Sequence, residues 1–118
     1  MNRLTILITA LCLSLYSAVP TLAAEIAPRE AMMHVGEQST VVGTVAQVSR
    51  SRGGTTFINF GGRYPNHVFY AVIFKKYAYK FTDASTWEGR MVAISGPIQM
   101  YEGKPQIILF SRSQIEVR

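Results

Sequence analysis

The sequence predicts a small, mainly β domain, and three observations lead to this fold class. Residues 39–48 and 67–74 are rich in the β-branched and aromatic side chains that strands favour. Glycine and proline residues, among them Pro65, separate these runs in the way that turns separate strands. Residues 75–87 form the only later segment in which apolar residues have a roughly helical spacing. Together these features predict five strands with a short helix between strands 3 and 4.

Residues 1–23 have the order of a secretory signal peptide. A short positive segment ends at Arg3, an apolar run covers residues 4–19, and Thr21 and Ala23 suit a cleavage site. The apolar run is shorter than the ~20 residues that a membrane-spanning helix needs, although an uncleaved anchor is the alternative. We therefore expect a periplasmic or secreted domain of residues 24–118, with no membrane span after cleavage.

The predicted mature domain is moderately basic and contains no cysteine. The chain of 118 residues has a net charge of +5, and its single cysteine, Cys12, lies in the predicted signal peptide. Without residues 1–23, eleven Lys and Arg residues stand against seven Asp and Glu residues, a net charge of +4. This balance favours polyanions or an anionic surface as partners. Because the domain has no thiol, we expect neither a disulfide nor a thiolate metal site, and packing must supply the stability.

Each predicted element has a local signal in the sequence. A helix is predicted over residues 25–36, because Pro28 suits its first turn and Gly36 suits the position just past its end. Gly43 lies in the middle of the first strand and predicts a bulge or sharp bend, so that one long strand can serve both ends of a small barrel. The predicted strands are residues 39–48, 55–60, 67–74, 91–95 and 105–110, and residues 115–117 follow as a tail.

This order of elements is the pattern of the OB-fold, a five-stranded Greek-key barrel. Short motifs that support it are spread over nearly the whole mature chain: Glu30-Ala31, His34-Val35-Gly36, Val42-Gly43-Thr44-Val45, Thr56-Phe57-Ile58-Asn59-Phe60-Gly61, Tyr64-Pro65-Asn66, Phe69-Tyr70-Ala71-Val72-Ile73-Phe74, Glu88-Gly89-Arg90-Met91-Val92, Ser95-Gly96-Pro97-Ile98, Tyr101-Glu102-Gly103-Lys104-Pro105-Gln106-Ile107 and Gln114-Ile115. With these motifs the chain resembles exported bacterial OB-fold domains related to the tRNA-anticodon-binding type of nucleic-acid-binding domain. The resemblance implies a binding function, since OB domains bind oligonucleotides, oligosaccharides or proteins.

The candidate binding residues are aromatic or basic and are expected to surround one cleft. They are Arg50, Arg52, Phe57, Arg63, Tyr64, Phe69, Lys75, Tyr101 and Lys104. Exposed aromatic rings can stack on bases, and basic side chains can contact phosphates. For residues 49–54 the alternative is a flexible, solvated hairpin loop. One face of each strand must be core, and both faces of strand 3 are apolar, so the sequence leaves open which of its aromatic residues are exposed.

The sequence shows no arrangement of residues that predicts catalysis. His34 and His67 lie in different elements and have no further ligand at metal-binding spacing, whereas a zinc site needs three or four ligands. Asp83 is the only aspartate and the glutamates are scattered, so the clustered carboxylates of a metal-dependent nuclease are not predicted. We therefore expect a protein that is not an enzyme and that uses neither a metal nor a cofactor.

Two functions remain open after these observations. The first is a non-enzymatic, exported OB-fold module that binds single-stranded nucleic acid or an oligonucleotide. The alternative is a periplasmic adaptor of the cell envelope that binds a protein or a glycan, because free nucleic acid is scarce in a periplasm. The sequence does not distinguish DNA from RNA, and it does not define the oligomeric state.

Overall fold

The computed structural model describes residues 24–118 and contains an eight-stranded sheet and four short 3-10 helices; the predicted signal peptide, residues 1–23, lies outside the described residues. The strands are β1 (Glu25–Ile26), β2 (Gln38–Arg50), β3 (Thr56–Phe60), β4 (Phe69–Ile73), β5 (Met91–Pro97), β6 (Gln99–Tyr101), β7 (Lys104–Ile108) and β8 (Ile115–Val117). The 3-10 helices are Pro28–His34, Lys75–Lys80, Ala84–Trp87 and Arg112–Gln114. Neighbouring strands follow the order β6-β7-β4-β3-β2-β5-β8, and β1 lies beside β2.

The mainly β fold class is confirmed, whereas the predicted number of five strands is too low. Three very short strands account for the difference. β1 pairs in parallel with β2 over two residues, β6 follows β5 with only Ile98 between them, and β8 pairs with β5. β8 coincides with the tail predicted at residues 115–117, whereas β1 and β6 are too short to show an alternating pattern.

The predicted helices are present, but they are 3-10 helices and shorter than expected. The first ends at His34, and Gly36 follows it with a φ of 89°, a conformation that glycine adopts without strain. The segment of residues 75–87 is divided into two helices by Phe81. Phe81 and Trp87 are both buried, with their ring centroids 6.3 Å apart. Residues six apart do not share a face of a continuous helix, so the chain must turn between them.

The long strand β2 joins the two halves of the sheet. Its residues 38–44 pair with β5, and its residues from Val45 onward pair with β3. Val45 lies opposite Phe60, whereas Gln47 lies opposite Asn59, so Ala46 is an extra residue and forms a β-bulge. The prediction that one long, irregular strand serves both ends of the sheet is therefore confirmed.

The bulge is at Ala46, so of the bulge or sharp bend predicted at Gly43 the bulge is wrong. Gly43 keeps a regular register opposite Val92. Gly43 is required for a different reason, since a Cβ at this position would lie only 2.6 Å from Cγ of Pro28. Glycine is needed here for the close approach of the first 3-10 helix to β2.

The core is built from one face of the sheet and is covered by aromatic side chains from the 3-10 helices. Ile58, Phe60 and Phe69 are fully buried in it. Trp87 is 1% exposed, and its indole N–H donates a hydrogen bond of 3.2 Å to Oδ2 of Asp83. No helix within residues 24–118 has the length and apolar character that a membrane-spanning helix needs.

Substitution of Gly43 by Ala should destabilise the domain by about 1–3 kcal/mol, because the added methyl group overlaps the rigid ring of Pro28. Urea unfolding followed by tryptophan fluorescence would measure the loss. Gly53→Ala is the matched control, because the nearest atom to a Cβ at Gly53 is 3.8 Å away. Equal stability of the two variants would contradict the proposed role of Gly43.

Candidate nucleic-acid interface

The face of the sheet opposite the core carries a row of polar side chains that crosses four strands. The register places Gln47 of β2 opposite Asn59, Asn59 opposite Tyr70, and Tyr70 opposite Gln106. Asn59 and Tyr70 are only 2% and 6% exposed. Both faces of β4 are therefore buried at this row, and the polar row forms the floor of a site rather than an ordinary solvated surface.

Aromatic rings lie directly around this floor. The ring of Tyr70 is 6.1 Å from that of Phe57 and 5.4 Å from that of His67, measured between centroids. Tyr64 stacks on the other side of His67 at 5.9 Å. Aromatic pairs prefer such tilted, offset and edge-on arrangements. The four rings form a continuous cluster that extends from the floor to the rim.

A cavity of about 620 Å³, hereafter the cleft, lies over this cluster. The end of β2 and the loop that follows it form one wall of the cleft, with Arg50 and Ser51. The loop between β3 and β4 forms a second wall with Tyr64, and the β6–β7 hairpin forms a third with Tyr101 and Lys104. Tyr64 and Tyr101 are 74% and 55% exposed, so their rings are accessible to a ligand.

Two side chains from the sheet hold the β3–β4 loop in place. Oε1 of Gln47 accepts hydrogen bonds from the backbone N–H of Tyr64 at 2.8 Å and from Nδ2 of Asn59 at 3.0 Å. Nζ of Lys104 donates hydrogen bonds to the carbonyl oxygens of Pro65 and His67. The bulge at Ala46 directs Gln47 to this face, so the bulge is what positions Tyr64.

The β6–β7 hairpin places Tyr101 and Lys104 opposite each other. They are the last cross-strand pair before a two-residue turn of Glu102 and Gly103. Both turn residues have a positive φ, 49° and 83°, as a type I′ turn requires. Tyr101 and Lys104 therefore lie together at the rim of the cleft.

Burial and charge shift the pKa values of two groups on the floor. Burial lowers the pKa of His67, and the nearby charge of Lys104 lowers it further. Burial also raises the pKa of Tyr70, with smaller contributions from Tyr101 and Glu102. His67 is thus favoured in its neutral form. Within residues 24–118 its Nδ1 atom is buried and has no hydrogen-bond partner.

The structure brings together five of the nine predicted binding residues. These five line the cleft: Arg50, Phe57, Tyr64, Tyr101 and Lys104. Arg52 lies in the exposed loop between β2 and β3, next to the cleft wall. The ammonium group of Lys104 is already bonded to two carbonyl oxygens, as described above, so the rim has fewer available cations than the sequence predicts.

Three other predicted residues lie outside the cleft. Phe69 is 0% exposed and packs against Phe60 at 5.4 Å, so the prediction that it contacts a ligand is wrong. Arg63 points to Glu88 and forms an ion pair of 3.4 Å. The alkyl chain of Lys75 lies against Gly54, where a Cβ would be 3.1 Å from Cγ of Lys75.

The floor residues Asn59, His67 and Tyr70 are not among the nine predicted binding residues. Side chains alternate between the two faces of a strand, so Tyr70 points to the face opposite that of Phe69. The error on Phe69 and the omission of Tyr70 therefore have the same cause, which is that the sequence did not assign the core face of this strand. Asn59 has the clearest signal, since it is a lone amide within the apolar strand of residues 56–60. A buried amide in such a strand indicates a polar row across the sheet.

Within residues 24–118, no group of three or more His, Cys, Asp or Glu side chains is placed so that it could hold a metal ion.

Comparison with known proteins supports the fold and leaves the family undefined. No protein-family model matches the chain, and no curated protein matches it. Among solved structures it is similar to a protein of Leishmania major Friedlin assigned as an aspartyl-tRNA synthetase, with a TM-score of 0.55 and 11% sequence identity. The match covers 86% of this chain and 22% of that one, so this chain spans about a fifth of its structural neighbour. At this identity the likeness shows the fold alone, which is mainly β and OB-like.

Replacement of Gln47 by Ala should loosen the β3–β4 loop and destabilise the domain by about 1–3 kcal/mol, because it leaves the buried amide of Asn59 without its acceptor. The backbone amide of Tyr64 should also exchange faster with solvent, since it loses the same acceptor. Hydrogen exchange and urea unfolding would measure both effects. Gln38→Ala is the control, as Gln38 is an exposed glutamine in the same strand. An unchanged exchange rate at Tyr64 would contradict the anchoring role.

Acidification should destabilise the protein before its carboxylates titrate. The folded state holds the pKa of His67 below its ordinary value of about 6.5, so the unfolded state binds more protons as the pH falls through that value. Stability is therefore greatest above about pH 6.5 and decreases below it. Urea unfolding between about pH 7.5 and pH 5 would show this slope. His67→Gln should reduce the slope, and a variant with the full slope would show that another group causes it.

Proposed function

We propose that this protein is a non-enzymatic module that binds single-stranded nucleic acid, or a short oligonucleotide, in the cleft. The observation that carries the proposal is that two accessible aromatic rings, those of Tyr64 and Tyr101, border a buried polar floor that has Arg50 at its edge. OB-like folds that bind single strands combine stacking rings with basic groups along the backbone path. The cleft has both components on the face of the sheet that such folds use.

Stacking supplies most of the expected binding energy. The rings of Tyr64 and Tyr101 are exposed at the rim, and Phe57 lines the cleft beside Ser49 at the end of β2. A base stacked on an aromatic side chain contributes about 1–3 kcal/mol, with little dependence on its identity. The buried side chains of Asn59 and Gln106 add neutral hydrogen-bonding groups near the floor. We infer a ligand with flat rings that is held by a few adjacent bases.

Phosphate contacts are expected to be few. Arg50 and Arg52 are exposed at the end of β2 and in the loop after it, so they can reach a backbone that passes this wall. Lys104 is bonded to two carbonyls, and Glu102 adds a negative charge on the hairpin side. Neutralising one or two phosphates on a single strand gives a slope of log affinity against log salt of only about −0.7 to −1.4.

The proposal includes three statements about the whole protein. The five longest strands, β2, β3, β4, β5 and β7, correspond to those of an OB-fold Greek-key barrel. The Leishmania neighbour is by its name a protein that acts on a tRNA, which agrees with a nucleic-acid ligand. Residues 1–23 direct the domain to the periplasm or the exterior, in keeping with their order of charged, apolar and small residues.

A second candidate is an adaptor that binds a glycan or an envelope protein in the same cleft. The neutral polar floor and Glu102 favour this candidate, because both suit an uncharged partner better than a polyanion. Exposed tyrosines are also frequent anchors in protein interfaces. The two candidates differ in their expected response to salt.

The test is a polarisation titration with a labelled oligonucleotide of about three thymidines, short enough to occupy the cleft alone. Tyr64→Ala should weaken binding about 5- to 100-fold, because it removes one stacking ring. Tyr79→Ala is the matched control, since Tyr79 is 72% exposed against 74% for Tyr64 but does not line the cleft. Raising the salt concentration should weaken binding with the shallow slope given above.

Two results would contradict the proposal. One is equal binding by the Tyr64 and Tyr79 variants, and the other is binding in the millimolar range or weaker by the unmodified protein at low salt. If one envelope protein is then recovered in a stoichiometric amount by affinity capture, and nuclease does not release it, the adaptor is the better description.

A further inference from the structure

A second cavity of about 500 Å³ lies beneath the 3-10 helices Lys75–Lys80 and Ala84–Trp87, and we call it the helix-side cavity. Apolar side chains of Val48, Ile73 and Phe81 form part of its wall. Hydroxyl groups from Thr56 and Ser85 also line it, and Tyr79 lies at its helical side. None of the functions considered above uses this cavity.

The helix-side cavity and the cleft meet at the end of β2. Ser49 and Arg50 line both cavities. Successive side chains of a strand point to opposite faces, and the register puts Ser49 beside Phe57 of the cleft and Arg50 beside Thr56 of the helix-side cavity. The two cavities thus lie on the two faces of the same short piece of strand.

In the part of the chain that the structure describes, the edge of this piece of strand that faces away from β3 is not covered by another strand. β5 pairs with β2 only as far as Thr44, and Glu88 accepts a hydrogen bond from the backbone N–H of Val48 at 3.2 Å. Beyond Val48, within residues 24–118, no strand lies beside this edge of β2. An extended chain can therefore pass over Ser49 and Arg50 from one cavity to the other.

The helix-side cavity has an exposed aromatic ring with an ammonium group beside it. Tyr79 is 72% exposed, and Nζ of Lys80 lies 5.8 Å from the centre of its ring while it donates a hydrogen bond of 3.1 Å to the carbonyl oxygen of Phe110. An aromatic ring next to an ammonium group can stack on a base and attract the phosphate that follows it. Among residues 24–118, no acidic residue lines this cavity, and the sequence contains none between Glu37 and Asp83.

We propose that a single-stranded nucleic acid longer than the cleft continues over Ser49 and Arg50 into the helix-side cavity and stacks there on Tyr79. This inference rests on the proposed function, since it extends the same ligand. Arg50 is then the residue that both segments of the ligand share. The complete site holds more bases and more phosphates than the cleft holds alone.

The test compares oligothymidines of about three and about ten nucleotides, of which the longer lies within the range of site sizes known for OB-folds. Tyr79→Ala should weaken binding of the longer oligonucleotide about 5- to 100-fold, because one stacked base is lost, and should leave the shorter one unchanged. Tyr64→Ala should weaken both. The salt dependence should be steeper for the longer oligonucleotide, because it brings additional phosphates to the protein.

A second measurement separates contact from an indirect effect of the substitution. In NMR titrations of the unmodified protein, the amide signals of Thr56 and Ser85 should shift with the longer oligonucleotide and not with the shorter one. Tyr79→Phe should retain binding of the longer one, because it keeps the ring.

The outcomes distinguish this inference from the proposed function. If Tyr79→Ala leaves binding of the longer oligonucleotide unchanged, or if Thr56 and Ser85 do not shift, the path into the helix-side cavity is wrong while binding in the cleft stands. If the unmodified protein binds neither length, the proposed function fails, and the inference fails with it.

Discussion

The β-bulge at Ala46 is the constraint on which both the core and the cleft depend. Before the bulge, the odd-numbered residues of β2, such as Val41 and Val45, point into the core. After it, Val48 packs against the core and Gln47 points to the opposite face. Because of this one extra residue, odd-numbered side chains face the core before the bulge and even-numbered side chains face it afterwards. In a regular strand the amide of Gln47 would enter the core and the side chain of Val48 would enter the cleft.

The cleft gains rigidity because its floor belongs to strands that are buried on both faces. Tyr70 and Val72 cover one face of β4, while Phe69, Ala71 and Ile73 belong to the core on the other. The β3–β4 loop at the rim is fixed by Gln47 and Lys104, whose side chains bond its backbone. Sites supported in this way keep their geometry without a ligand, which lowers the entropy that binding must overcome.

The sequence predicted the order of elements more successfully than the direction of side chains. The order could be read because clear turn residues separate the five longest strands. The faces of β4 could not be assigned, since both are apolar, and this led to the choice of Phe69 instead of Tyr70. Ala46 has no property that marks a bulge, whereas Gly43 has one but owes its identity to Pro28.

The basic residues show a different limit of sequence reasoning. Arg63 and Lys104 were expected to face a ligand, yet Arg63 pairs with Glu88 and Lys104 bonds carbonyl groups 37 and 39 residues away in the chain. Such partners are known only once the fold is known.

The hydrogen bond from the backbone N–H of Val48 to Glu88 affects how the protein behaves at high concentration. A second molecule could add its own strand to the uncovered edge of β2 only by displacing this carboxylate and desolvating its pair with Arg63. The charged pair of Glu88 and Arg63 therefore disfavours edge-to-edge aggregation through β2.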